Sequence, residues 1–323
     1  MILITGGNGY IGTAISEILM QRGEEFRIMD NLSSSNPLNL LHLDHVDFLW
    51  GDVRKPEDLK LAFKDVDVVI HLAAKLPATP GMLDEVKNDV EDVNYKGTLN
   101  VLEEARKRDA QVLFASTCNI YGIGENLKED EDVRPLNPYS KSKLKAEKAC
   151  MEYYEKYGLD VKILRLASVY GYSPGVRFNL VVNYFVLRAL LGYDLTVFGD
   201  GENWRPFVHV YDAARAFLFL MENGKKGEIY NVVGKNLRIR DVAEIVRDLI
   251  NPKINIKFIK EIKPEFSYSV NFDKISKAGF KLKYNFENGV LDLARRLRKL
   301  KKLSENARDY LNTMQKDVEY DFT

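Results

Sequence analysis

Cysteine is scarce in this chain: Cys118 and Cys150 are the two among 323 residues. One pair cannot build a disulfide framework, and the spacing is not that of a metal module. Both are expected as small core residues or idle thiols, which suits a reducing cytoplasm. A charge excess is absent too, since 47 basic residues balance 47 acidic ones. Such a chain has no general attraction for nucleic acid or an anionic membrane, and neither is expected as a partner. The basic run "RRLRKLKK", residues 295–302, is the local exception. It follows "NGVLDLA" at helical spacing and reads as the solvated face of a late helix. No apolar run reaches the ~18 residues of a spanning helix. The opening "MILITGG" has none of the features of a leader. Internal repeats and low-complexity tracts are missing as well. The expectation is a soluble, cytoplasmic protein.

What is present is enough apolar material, 46% of residues, for a sizeable core in one large domain or two. The first half alternates two patterns. Short apolar runs such as "MILIT", "EFRIMD", "VDFLWGD", "VDVVIHLAA", "AQVLFAST" and "DVKILRLAS" read as strands. Between them "GYIGTAISEILMQRG", "PEDLKLAFKD", "NYKGTLNVLEEARKR" and "YSKSKLKAEKACMEYYEKYG" read as helices. Strands alternating with helices predict an α/β fold, a parallel sheet covered on both faces. After Ser168 the alternation fails, and "VYGYSPGVRFN" is irregular. The predicted division is a first domain over 1–170 and a smaller α+β substrate-binding unit over 171–323, with 207–223 rejoining the first.

A glycine turn stands between the first strand and first helix. Gly6, Gly9 and Gly12 give G-x-x-G-x-x-G, where the turn must be tight, the backbone must approach a pyrophosphate, and the helix must pack close. The helix start then offers free N–H groups and a positive dipole end to phosphates. Asp30 ends the second strand, where a carboxylate can accept both adenosine ribose hydroxyls and repel a 2′-phosphate. The following "NLSSSN" has no arginine or lysine to accommodate one, so the expected cofactor is NAD in a doubly wound sheet of the Rossmann type. Asp52 and Val53 of "GDV" are placed to flank the adenine; for Asp52, a cap on the helix at "PEDLK" is the equal alternative.

The motifs "TGGNGYIG", "DNLSS", "GDVR", "HLAA", "VNYKGTLNVLEEAR", "FAST", "PYSKSK", "VFGDG" and "RPFVHVYDAARA" occur in order over residues 1–297. In them the chain resembles the extended short-chain dehydrogenase/reductase family, in particular its UDP-glucose (galactose) 4-epimerase branch. The resemblance implies that Tyr10, Ile11, Asn31, Asn94 and the Leu72, Ala73 and Ala74 of "HLAA" join the glycines around NAD. It also implies that Tyr139 and Lys143 are the family's Y-x-x-x-K pair. Residues i and i+4 share a helix face, so the Lys143 charge is expected near the phenol, favouring phenolate. Tyr139 would then take a sugar hydroxyl proton as hydride leaves for NAD. Thr117 falls at the family's Ser/Thr that bonds the reacting oxygen; the alternative is a hydroxyl capping a strand end. His71 and His209, each inside an apolar strand, read as structural histidines.

Cys118 and Asn119 follow Thr117. The family's 4,6-dehydratases carry an Asp-Glu pair there and its decarboxylases a glutamate. Elimination needs an acid and a base that these two residues do not supply, which disfavours dehydration. For substrate binding the resemblance points to Arg205, with Asn179, on a diphosphate; for Arg205 the alternative is a surface ion pair. Three departures bear on the substrate. Ser168 stands for the branch's asparagine, Lys263 of "KPEF" for a second diphosphate arginine, and Pro206 for an aspartate. The expected activity is NAD-dependent epimerisation of a nucleotide sugar, UDP-glucose and UDP-galactose first. Its rivals are a net dehydrogenase of another hydroxylated substrate and a non-catalytic NAD-binding regulatory protein. A homodimer is expected through the helices of residues 95–108 and 139–157, with Leu144, Ala149 and Tyr153 as apolar positions of the second.

Overall fold

The computed structural model describes residues 1–41, 43, 46–76, 87–261 and 266–299. Lys263 and the segment after residue 299 lie outside them.

Seven strands form one parallel sheet: β1 (Ile2–Thr5), β2 (Phe26–Asp30), β3 (Asp47–Trp50), β4 (Val68–His71), β5 (Gln111–Thr117), β7 (Val161–Leu166) and β11 (Glu228–Val232). Their spatial order is β11-β7-β5-β4-β1-β2-β3. Side chains alternate faces along a strand, and here both faces are apolar. Ile2, Ile4, Ile70, Leu113 and Leu164 enter one core cluster, whereas Leu3, Val69, Val112, Phe114 and Ile163 enter another. That double burial is why the strands read as unbroken apolar runs. The helices α1 (Tyr10–Arg22) and α7 (Val210–Asn223) cover the first face; α2 (Pro56–Ala62), α4 (Gly97–Arg108) and α5 (Pro138–Tyr157) cover the second. Two short helices, α3 (Lys87–Glu91) and α9 (Asp273–Lys277), lie against α5 and β11 respectively. Strand order reverses between β1 and β4, so the turn after β1 opens at the crevice where such sheets take their ligands.

The first and second units interleave along the chain. The segment 228–232, assigned from sequence to the second unit, is the edge strand beside β7. Its run "IYNVV" is short and lies beyond the point where the regular alternation fails, so periodicity alone did not tie it to the sheet. The second unit has its own core, drawn from α6 (Val181–Leu191), α8 (Ile239–Ile250) and α10 (Phe286–Lys299). It contains a sheet in which β10 (Trp204–His209) lies between β12 (Lys235–Arg238) and β8 (Ser168–Tyr170), and a parallel pair of β9 (Leu195–Phe198) with β13 (Ile256–Ile259). One further parallel pair, β6 (Ile123–Leu127) with β14 (Ser267–Val270), ties the second unit to the loop after β5.

Candidate active site

The glycine turn has the geometry its residues demand. Gly6 adopts φ +68°, and a Cβ there would fall 2.7 Å from the Ala73 backbone, so the turn lies directly against the strand end of Leu72–Ala74. A Cβ on Gly12 would sit 2.4 Å from the Gly7 carbonyl oxygen, which sets how closely α1 follows β1. Gly9 caps α1 without a side-chain bond, and the first turn, from Tyr10 and Ile11, carries no acidic residue. Its N–H groups are therefore left for an anion. The loop after β8 is pinned over this turn: the Ser173 hydroxyl donates to the Tyr10 carbonyl at 2.8 Å, and the Gly175 N–H to Thr13 Oγ1 at 3.3 Å.

Asp30 is 8% exposed and accepts from the backbone N–H groups of Asn8 (3.1 Å) and Leu32 (2.8 Å). Burial raises its pKa; those bonds and Ser35 pull the other way. Asn31 donates to Asp52 at 3.0 Å. Asp52 is not the helix cap: α2 begins after Lys55, and the Asp52 carboxylate holds Arg54 at 2.6 Å instead. That bond to Arg54 lowers its pKa to about 2, against the effect of burial. Arg54 shares Asp52 with Asn31, and Asp52 and Asp89 already claim its charge. Val53 is buried against Gly97, where a Cβ would meet its Cγ2 at 2.6 Å.

Asn94 sits in a single π-helical turn, residues 92–96, a feature common at functional sites. Its carbonyl oxygen accepts from the Lys75 N–H (2.7 Å), while its amide donates to the Lys75 carbonyl and the Ser142 hydroxyl (both 3.0 Å). Ser142 in turn donates to the Tyr139 carbonyl at 2.8 Å. The asparagine therefore ties the end of β4 to the first turn of α5. That turn is fixed by a capping box: Asn137 accepts from the Ser140 N–H at 2.8 Å, Ser140 returns a bond to the Asn137 N–H, and Pro138 fills the first helical position. "NPYS" is thus a helix start that holds Tyr139 half-buried at the mouth of the site.

Three groups converge there. Burial pushes the Tyr139 phenol up to about 12, opposed by the Arg177 charge and by the neighbouring Thr117 hydroxyl. Lys143, expected beside the phenol, packs against Phe114 of β5. Its ammonium is 1% exposed, lies 4.2 Å from the centre of the Phe114 ring, and is pulled down to about 8 by burial. The cation thus lies on the sheet side of its helix. Arg177, on the loop after β8, is the residue that sequence reasoning missed; an arginine in an irregular segment carries no periodic signal. Thr117 accepts from the Asn119 N–H at 3.2 Å at the end of β5 and stands beside Tyr139.

Arg205 is not in a surface ion pair. Its guanidinium lies 5.2 Å from each of the Phe266 and Tyr268 rings and donates to the Trp204 and Phe266 carbonyls. Burial lowers its pKa, and no carboxylate partners it among the described residues. A desolvated guanidinium on aromatic faces suits an anionic ligand. Ser168 is half-buried in β8 beside Phe207, and Pro206 lies opposite Asn236 in β10. Asn179 is exposed in the turn before α6. His71 is fully buried between Thr5 (2.6 Å) and Thr98 (3.0 Å), and burial drives its pKa to about 3, so it is a neutral structural residue. His209 stacks on Tyr284 with ring centres 3.8 Å apart, its pKa pushed to about 4 by burial. Both cysteines are buried and free.

The comparisons with known proteins fit this geometry. Residues 2–233 match the model of the NAD dependent epimerase/dehydratase family. The chain is 33% identical over 304 residues to a putative UDP-glucose 4-epimerase of Methanocaldococcus jannaschii, covering 90% of this chain and 96% of that protein. It is 31% identical over 272 residues to UDP-glucuronic acid decarboxylase 1 of Danio rerio, spanning 80% of this chain but 63% of that longer protein. Among solved structures, a dTDP-glucose 4,6-dehydratase of Streptomyces venezuelae with NAD bound superposes with a TM-score of 0.83 at 27% identity, covering 95% of this chain and 99% of that one. A UDP-glucose 4-epimerase of Thermotoga maritima with UDP-glucose gives 0.82 at 27% identity, covering 93% and 99%. This chain belongs to the NAD dependent epimerase/dehydratase family and is an NAD-dependent enzyme of the extended short-chain dehydrogenase/reductase type. Its residues fit that cofactor: an uncapped helix start for the pyrophosphate, a buried carboxylate at Asp30, and, at the end of β5, a buried Ser116 hydroxyl with no partner among the described residues.

Proposed function

We propose that this enzyme inverts a secondary alcohol of a nucleotide sugar, most directly C4 of a UDP-hexose, interconverting glucose and galactose forms. NAD, when bound, supplies the acceptor and donor of hydride. Tyr139 takes the hydroxyl proton as the carbonyl forms, and returns it when hydride comes back to the opposite face. Thr117, which accepts from the Asn119 N–H, offers its hydroxyl hydrogen to the same oxygen. Lys143 supplies a buried positive charge beneath the site, and Arg205 the guanidinium for a diphosphate.

One observation carries the choice of reaction. The two side chains next to Thr117 have no proton to exchange at neutral pH. The Cys118 thiol is buried, donates to the Arg165 carbonyl at 3.2 Å and is pushed far up by burial. Asn119 is an amide whose oxygen is taken by the Tyr268 hydroxyl. Elimination lacks its acid and base, whereas oxidation and re-reduction at one carbon does not need them. A homodimer through α4 and α5 belongs to the same proposal, although Ala149 is 3% exposed within its own core and cannot serve that contact. A monomer on gel filtration removes the dimer.

The test is incubation with UDP-galactose, UDP-glucose and their N-acetyl forms without added cofactor, with product stereochemistry read by NMR. Equilibration of one pair at C4 supports the reading. Net accumulation of reduced NAD in proportion to substrate replaces it with a dehydrogenase, and inertness on all four with a binding protein.

A further inference from the structure

The corner of the site beside Thr117 holds a side chain that the proposed chemistry leaves unused. Asn119 is pinned at two points. Its backbone N–H donates to Thr117 Oγ1 at 3.2 Å, and its side-chain oxygen accepts from the Tyr268 hydroxyl. Tyr268 cannot turn away: it is 1% exposed, sits in β14 opposite Gly124 of β6, and carries the Arg205 guanidinium 5.2 Å from its ring centre. With the oxygen end fixed, the amide nitrogen is the free end. It has no acceptor among the described residues, and it is not sealed in the core, since Asn119 is half-buried. Two N–H donors are therefore presented next to the group that handles the reacting oxygen.

We infer that Asn119 is a substrate-specificity residue whose amide N–H groups, oriented by Tyr268, donate to an oxygen substituent of the sugar flanking the hydroxyl that reacts. This rests on the nucleotide-sugar reading above. Tyr268 acts through Asn119 and is a positioning residue. A donor pair recognises a hydroxyl or carboxylate oxygen and gains nothing from a deoxy carbon. Aspartate in its place would keep the bond to Tyr268 but offer only acceptors.

The experiment uses NAD-loaded enzyme and calorimetric binding of UDP-galactose, its 3-deoxy and 6-deoxy analogues, and UDP. For the unmodified enzyme, one of the two analogues should bind about tenfold more weakly than UDP-galactose, the scale of one lost hydrogen bond with its donor left unmet. Asn119→Leu and Asn119→Ala, which have no group to bond the substituent, should abolish that difference while UDP binds as before. Tyr268→Phe, which frees the amide to flip, should narrow it severalfold. The inference is overturned if both analogues bind like the parent, or if Asn119→Ala keeps the difference. A parallel loss of UDP affinity overturns it as well, since that marks a merely structural role. Absence of turnover alongside the expected binding pattern would sink the epimerase reading and leave this one standing.

Discussion

The helix carrying Tyr139 and Lys143 is anchored to the sheet by a buried ion pair, and cutting it should unsettle both fold and site. Glu147 of α5 meets Arg165 of β7 with side chains 3% and 5% exposed. Arg165 Nε lies 3.1 and 3.3 Å from the two carboxylate oxygens, and Nη2 lies 2.9 Å from one. Nη1 donates to the Tyr121 hydroxyl (2.9 Å) and the Glu129 carbonyl (3.0 Å). Glu147→Ala leaves a desolvated guanidinium with two neutral acceptors, at a cost of about 3–5 kcal/mol. In a chain of this length about 2 °C is lost per kcal/mol, so the melting temperature should fall by about 6–10 °C. Replacing both partners with apolar residues removes the stranded charge, so Glu147→Leu with Arg165→Met should stay within about 2 kcal/mol of the parent. Scanning calorimetry and urea unfolding of the three proteins measure this directly. If the single variant loses less than about 1 kcal/mol, or the double variant is as unstable as the single, the pair is not the anchor described.

Tyr139→Phe should lower turnover by about 10²–10⁴ and leave NAD binding, followed by fluorescence titration, unchanged; weakened NAD binding would place the residue in the cofactor site instead. Arg177 opposes the burial that pushes the Tyr139 phenol up to about 12. The phenol must lose its proton before it can accept one, so kcat should climb with pH. Arg177→Gln removes a positive charge, raises the phenol further and moves that climb to higher pH; no movement, or movement to lower pH, refutes the assignment. For Asp30, burial raises the folded pKa above the unfolded one. The charge thus opposes folding above that pKa. Asp30→Asn should accordingly raise the melting temperature of the NAD-free protein while weakening NAD binding, and a fall in both would contradict the sign.

Residues whose role is set by their immediate neighbours in the chain are legible from the order of amino acids alone. The glycines at 6 and 12 answer to local backbone geometry, "NPYS" to capping of its own helix, and the doubly apolar strands to a sheet covered on both faces. Those features leave their mark within a few residues of each position. The direction of the Lys143 ammonium, the charge of Arg177 beside the phenol and the clamp of Asn94 across β4 and α5 were not legible. Each joins segments far apart in sequence, with no period or spacing to announce it. Strand 228–232 was misplaced for the same reason: its partner is β7, and pairing across a sheet leaves no mark on either strand alone. By itself the chain determined a dinucleotide turn and a tyrosine at a helix mouth. Packing alone decided that the Arg177 charge acts on that tyrosine and that Tyr268 holds the Asn119 amide, because burial and through-space charge depend on what folding brings together.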